Sequence, residues 1–206
     1  MHDSQDHCAL EAALAALRRA EPIVYPTETL YGLGVDATSA AAVSKLLALK
    51  VRAEGKPIAV LVSDRSMLDQ LAARVTPLAE RLIARFWPGP LTLVVTARHS
   101  VSPLLTGVTG TIGVRISSHP TATALVRGLG RPLTTPSANP AGATPPATIA
   151  QARGYFGDRV AVYLDGGTLS GGVASTVVEV TTAEVRVLRA GAITDAALRA
   201  ALAEAA

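Results

Sequence analysis

Aromatic residues are scarce, at 3% of the chain, and cysteine occurs once, at Cys8. A lone cysteine excludes an intrachain disulfide framework and any multi-cysteine metal site, so no protein-held metal is expected and a reducing, cytoplasmic compartment is. So few aromatic rings leave little for nucleic-acid bases to stack on. Hydrophobic residues make up 49% of the sequence, yet no uninterrupted apolar run approaches the roughly 18 residues of a membrane span. The N-terminus is acidic and His-containing rather than basic and then apolar, so it does not read as a secretory leader. The phosphate-cradling pattern G-x-x-x-x-G-K-[ST] is also absent.

Charge of one sign is missing from a whole interval. No Asp or Glu occurs between Glu80 and Asp158, while Arg81, Arg85, Arg98, Arg115, Arg127, Arg131 and Arg153 all lie there. Folded together, such an interval favours phosphates, carboxylates or nucleic acid, although most of these arginines read as solvated surface. Lysine is scarcer than arginine, and Lys45, Lys50 and Lys56 all fall in one short stretch. A chain of 206 residues is long enough for one substantial core. One α/β domain over 6–206, after a short tail over 1–5, is the expected organisation.

What is there begins with Tyr25-Pro26-Thr27-Glu28-Thr29-Leu30-Tyr31-Gly32-Leu33-Gly34. Ile23 to Tyr25 reads as a strand, and Pro26, without an N–H, is expected to end its pairing so that the side chains of 27–29 project beyond the strand end. Strand ends in open α/β sheets are where ligands bind. Gly32 and Gly34 permit positive φ or close approach by a backbone or a ligand. The G-x-G-x-x-A pattern of 32–37 mimics a dinucleotide fingerprint, but six polar or broken residues separate its first glycine from the strand end. A helix then ends near Lys50-Val51-Arg52, where cations suit the helix dipole and also stand beside a flexible-looking turn.

Further on, Asp64 and Thr76-Pro77 signal helix starts, Leu91 to Thr96 a strand, and Thr111 to Ile116 a strand that carries Arg115. An arginine inside a strand is costly to bury without an anionic partner. Leu133-Thr134-Thr135-Pro136-Ser137-Ala138-Asn139 repeats the first idea, a short strand broken by proline with hydroxyls and an amide at its end. Two such strand ends in one sheet imply one crevice. The loop 140–147 reads equally as a lid or as a passive linker.

Taken in order, Tyr25-Pro-Thr-Glu-Thr-Leu-Tyr-Gly-Leu-Gly34, Lys50-x-Arg52, Trp87-Pro-Gly-Pro-Leu-Thr92, Val114-Arg115, Pro136-Ser-Ala-Asn139, Asp165-Gly-Gly167, Ser175-Thr-Val-Val178 and Leu188-Arg189 closely resemble the YrdC/TsaC family of threonylcarbamoyl-AMP synthases. The resemblance implies one α/β domain with a twisted mixed sheet, flanked by helices and enclosing a positively charged cavity. It implies that L-threonine, ATP and bicarbonate or CO2 become threonylcarbamoyl-adenylate and pyrophosphate, with Mg2+ arriving on ATP. Lys50, Arg52, Ser137 and Asn139 take the positions of the family's catalytic, ATP-binding signature, and Arg189 that of a further ATP contact. Thr27, Arg115, Thr135 and Ser175 take the threonine-binding positions, with Arg115 on the carboxylate. A separate transferase complex of the TsaD type would carry the product to tRNA. The competing reading from another class is a tRNA or double-stranded RNA binding module, which would bind weakly and with strong salt dependence.

Overall fold

Helices begin where the sequence supplies an oxygen for the first unpaired N–H groups. The computed structural model describes residues 2–51, 55–169, 173–182 and 184–203, with side chains from residue 7 onward. In chain order its elements are α1 (His2–Arg18), β1 (Ile23–Pro26), β2 (Tyr31–Gly34), α2 (Ala40–Lys50), β3 (Val60–Leu61), α3 (Arg65–Leu71), α4 (Pro77–Phe86), β4 (Leu91–Thr96), α5 (Pro103–Thr106), β5 (Thr111–Arg115), α6 (Pro120–Leu129), β6 (Leu133–Thr134), α7 (Ile149–Phe156), β7 (Val162–Tyr163), β8 (Thr176–Glu179), β9 (Arg186–Arg189) and α8 (Asp195–Ala203). Asp64 accepts from Met67 N at 3.0 Å and Thr76 from Ala79 N at 3.2 Å, each satisfying an orphan donor. Thr148 and Gln151 form a reciprocal capping box at the head of α7. The first helix starts at His2, so residues 2–5 of the expected tail belong to α1.

The strands form two mixed sheets, ordered β2-β1-β7 and β6-β3-β5-β4-β8-β9, where one sheet was expected. The division falls between β2 and β6, and proline explains it. Pro132 and Pro136 bracket β6 and have no N–H to give, so the strands meet only through isolated bridges at Gly32↔Ser137 and Asp36↔Leu133. Single bonds stitch the seam: Leu33 N donates to the Pro136 carbonyl at 2.8 Å, Thr134 N to the Val35 carbonyl at 3.0 Å and Ala138 N to the Tyr31 carbonyl at 2.8 Å. Both proline-broken strand ends therefore meet, although they belong to different sheets. Helices flank the sheets: α1 packs on α6, and α4 on α8.

Pro26 does not end the pairing of β1 but closes it, opposite Tyr31, in an antiparallel hairpin whose loop is 27–30. The chain from Tyr31 to Gly34 is thus a buried strand and not a loop. Neither Gly32 nor Gly34 has positive φ. Their small size serves a close approach instead, and the approaching group is the Tyr25 ring. A Cβ at Gly34 would lie 2.7 Å from Tyr25 Cε1. Tyr25 is fully buried and its hydroxyl donates to the Thr134 carbonyl at 2.9 Å, so the ring has nowhere to swing. Gly34→Ala is accordingly expected to cost about 1–3 kcal/mol of stability through overpacking. Urea denaturation checks this, as a lower midpoint at unchanged slope.

Among the described residues no helix is long and apolar enough to cross a membrane.

Candidate active site

Strand alternation puts every second side chain of the larger sheet on one face, and that face floors a cavity of about 520 Å³. Thr111, Gly113 and Arg115 of β5, Thr92 and Val94 of β4, and Val177 and Glu179 of β8 all line it. Thr27, Thr29, Leu30 and Tyr31 of the hairpin, Lys50 and 135–137 wall one side, and Leu188 and Arg189 of β9 another. Gly113 keeps the floor low, because a Cβ there would come within 3.2 Å of both Ala59 Cβ and Thr92 Cγ2.

Of the residues singled out in the sequence, Thr27, Lys50, Arg115, Thr135, Ser137, Ser175 and Arg189 line this one cavity. Asn139 is not among its lining residues, and Arg52 lies outside the described residues. Lys50 was expected at a flexible turn, presenting charge outward. It is instead buried, and its ammonium donates to the Ser137 carbonyl at 2.7 Å and the Asn139 carbonyl at 2.6 Å. The reason is the end of α2: Val51 turns into the left-handed region at φ 47°, which is uncommon for a β-branched residue, and the helix stops with Lys50 facing the 137–143 segment.

That segment and the residue after it are tethered at several points. Ala141 N donates to the Lys50 carbonyl at 2.8 Å, Asn139 Nδ2 to the Ala143 carbonyl at 2.7 Å, and the Tyr155 hydroxyl to the Thr144 carbonyl at 3.0 Å. Asn139 Oδ1 is buried with no hydrogen-bond partner among the described residues. Thr27, expected to offer its hydroxyl to a ligand, spends it on the hairpin. Its Oγ1 donates to the Leu30 carbonyl at 2.7 Å and accepts from Thr29 N and Leu30 N.

Arg115 answers the cost of burying a strand arginine with a protein partner as well as an open face. It is 3% exposed, and its Nη2 lies 2.6 Å from Glu28 Oε2. That contact is a buried ion pair. Nε donates to the Gly89 carbonyl at 3.1 Å and Nη1 to Thr29 Oγ1 at 3.2 Å. Burial pushes the Glu28 carboxyl up, but the Arg115 charge and the Ser117 hydroxyl outweigh it and hold the pKa below the usual carboxylate value.

On the opposite side, Arg189 donates to the Ser175 carbonyl from Nε at 3.1 Å and from Nη2 at 2.9 Å, and to Ser175 Oγ at 2.9 Å. Ser175 in turn shares a 2.8 Å hydrogen bond with Thr92 Oγ1. Partial burial, and then the like charge of Arg115, lower the Arg189 pKa. Two guanidiniums that feel each other across a cavity are a pair an anion would relieve.

Sequence reasoning gave Glu28 and Thr92 no role although both stand in its motifs, and it missed Glu179 and Arg186. For Glu28 a signal existed: the strand around Arg115 sits in an interval without acidic residues, so a protein partner had to come from another motif. Tyr31 and the Asp165-Gly-Gly167 motif turn out to serve each other. The Tyr31 hydroxyl donates to the Gly167 carbonyl at 2.7 Å and accepts from Gly166 N at 3.0 Å.

The geometry has counterparts. A threonylcarbamoyl-AMP synthase of Thiobacillus denitrificans is 41% identical over 171 residues, which are 83% of this chain and 90% of that protein. One from Bacillus subtilis is 38% identical over 183 residues, 88% of this chain and 53% of that protein. The crystal structure of Pyrococcus abyssi Sua5 complexed with L-threonine superposes with a TM-score of 0.91 at 32% identity, covering 95% of this chain and 57% of that one. The chain thus spans most of the Thiobacillus protein and little more than half of the Bacillus and Pyrococcus ones. Residues 15–191 match the Sua5/YciO/YrdC family profile, described as "Telomere recombination". From α1 to the end of β9, through every segment that walls the cavity, this chain belongs to the Sua5/YciO/YrdC family.

Proposed function

We propose that the chain is a threonylcarbamoyl-adenylate synthase, converting L-threonine, ATP and bicarbonate or CO2 into threonylcarbamoyl-AMP and pyrophosphate. The observation that carries this reading is the convergence of Lys50, Arg115 and Arg189 on one cavity that also offers Thr135, Ser137 and Ser175. Arg115 pairs with the threonine carboxylate, since a guanidinium buried against the floor can present one planar edge to it. Thr135 and Ser175 supply neutral groups for the amine and hydroxyl. Thr27 acts at one remove, holding Thr29, which holds Arg115. The threonine-bound Pyrococcus structure, which matches 95% of this chain, supports that ligand.

The chemistry needs charge management more than a nucleophilic side chain. The neutral threonine amine adds to CO2 and gives up one proton to solvent, leaving a carbamate; where bicarbonate is the source, it takes up a proton and loses water to supply the CO2. A carbamate oxygen then attacks the α-phosphorus of ATP, the bond from that phosphorus to the bridging oxygen breaks, and pyrophosphate leaves with the electron pair. Cations fixed beforehand stabilise the spreading charge. Lys50, Arg52 and Arg189 serve the phosphates, Ser137 offers a neutral donor, and Asn139 sets the segment that carries it. Arginines that share one cavity gain from a polyanion placed between them. Mg2+ enters as the substrate MgATP, keeping waters and phosphate oxygens as ligands. The product then passes to a separate transferase complex of the TsaD type for N6-threonylcarbamoyladenosine beside the tRNA anticodon.

The test is pyrophosphate release by purified protein given MgATP and bicarbonate, with and without L-threonine. Release that depends on threonine is the expected result. A folded sample that releases none while still binding tRNA would return the RNA-binding reading.

A further inference from the structure

Glu28 ties the 27–30 loop to the stretch from Arg115 to Ser118, yet it is not among the residues that line the cavity. Its carboxylate meets Arg115 Nη2 at 2.6 Å, accepts from the Ser117 hydroxyl, and lies 3.3 Å from Ser118 N. Ser117 Oγ is itself fixed, accepting from His119 N at 3.2 Å at the entry to α6. The Glu28 side chain is 17% exposed and that of Arg115 4%, so solvent screens this ion pair little.

An arginine side chain has several rotatable bonds, and its recognition value depends on where the guanidinium plane is held. Two corners of the Arg115 plane are fixed by neutral acceptors, Gly89 and Thr29. The third, Nη2, meets the Glu28 carboxylate, the one charged partner of the three. We propose that Glu28 is a positioning residue for substrate recognition: from outside the cavity it sets the Arg115 guanidinium in the orientation that receives the amino-acid carboxylate. The role rests on the function proposed above. A carboxyl kept ionised by its neighbours is also a poor acceptor for the threonine ammonium proton, which separates positioning from general-base work.

Glu28→Gln keeps the shape and removes the charge. The expected result is a threonine KM raised by about ten- to a hundredfold, the cost of one charge-assisted contact, with the ATP KM unchanged. At saturating threonine kcat stays within about threefold of the parent. Because Glu28 acts through Arg115, adding Glu28→Gln to Arg115→Ala is expected to leave the threonine KM where Arg115→Ala alone puts it. Ser117→Ala loosens Glu28 without touching the ion pair, and raises the threonine KM by a smaller factor in the same direction. It serves as the test if Glu28→Gln fails to fold.

A threonine KM equal to the parent's in either single variant overturns the role. So does a fall in kcat at unchanged KM, which would make Glu28 a base, or an additive double variant. If the unmodified protein neither forms adenylate nor binds threonine in a calorimetric titration, the function itself fails and takes this role with it. If it does both and Glu28→Gln behaves like the parent, only the role fails.

Discussion

Lys50→Ala protein is expected to form adenylate about a hundred- to a thousandfold more slowly than the parent, the scale seen when one preorganised group serving transition-state charge is removed. Two losses combine at this position. The first is the ammonium itself, which stands at the cavity wall beside Ser137. The second is the tether of the 137–143 segment, because the carbonyls of Ser137 and Asn139 lose the donor that binds them at 2.7 and 2.6 Å. Leaving buried carbonyls unpaired costs about 1–3 kcal/mol, so a lower melting temperature is expected alongside the slower rate. Circular dichroism below the melting transition separates the two: the native spectrum is retained while the rate is lost. Initial rates of pyrophosphate release within about threefold of the parent would remove Lys50 from the chemistry.

Arg115→Ala is expected to damage both recognition and stability. The substitution strands the Glu28 carboxylate with Ser117 and without a countercharge, and breaking a buried pair on one side typically costs about 3–5 kcal/mol. The threonine KM rises by about a hundredfold or more, because the carboxylate loses its guanidinium. The sequence alone suggested the second effect and not the first, since it assigned the arginine's only anion to the substrate. Combining Arg115→Ala with Glu28→Gln is expected to restore part of the lost stability and none of the threonine affinity. Chemical denaturation and threonine titration on the same samples check both halves. A stability unchanged in Arg115→Ala would mean the ion pair with Glu28 contributes nothing to the fold.

The parts of this molecule that were legible in the sequence are those set by local chemistry. Thr148 at the head of α7, Thr76-Pro77 at the head of α4 and the mostly apolar run of β4 each specify their element within a few residues, and the structure places them there. The short α5 escaped because four residues carry no periodicity. The strand β2 escaped because Gly32 and Gly34 read as turn formers, whereas their glycines make room for a tyrosine on the neighbouring strand. The division into two sheets depends on which strands meet across Pro136, a non-local matter.

The site shows the same boundary. Hydroxyls, amides and cations at proline-broken strand ends announced a crevice for an anion, and seven of the named residues do share one cavity. What composition does not reveal is which polar groups are already spent. Thr27 is consumed by its own hairpin, Lys50 grips carbonyls, and Arg115 reaches an acid from another motif. Those partners are chosen by packing after the chain has folded.

The most direct measurement is the mass of the product formed from isotopically labelled bicarbonate, ATP and L-threonine by the purified protein. The predicted result is threonylcarbamoyl-adenylate carrying the label, absent when either threonine or ATP is withheld. Conversion of ATP with no labelled adenylate, and at the same rate with or without threonine, would contradict the assignment of this cavity to threonylcarbamoyl-adenylate synthesis.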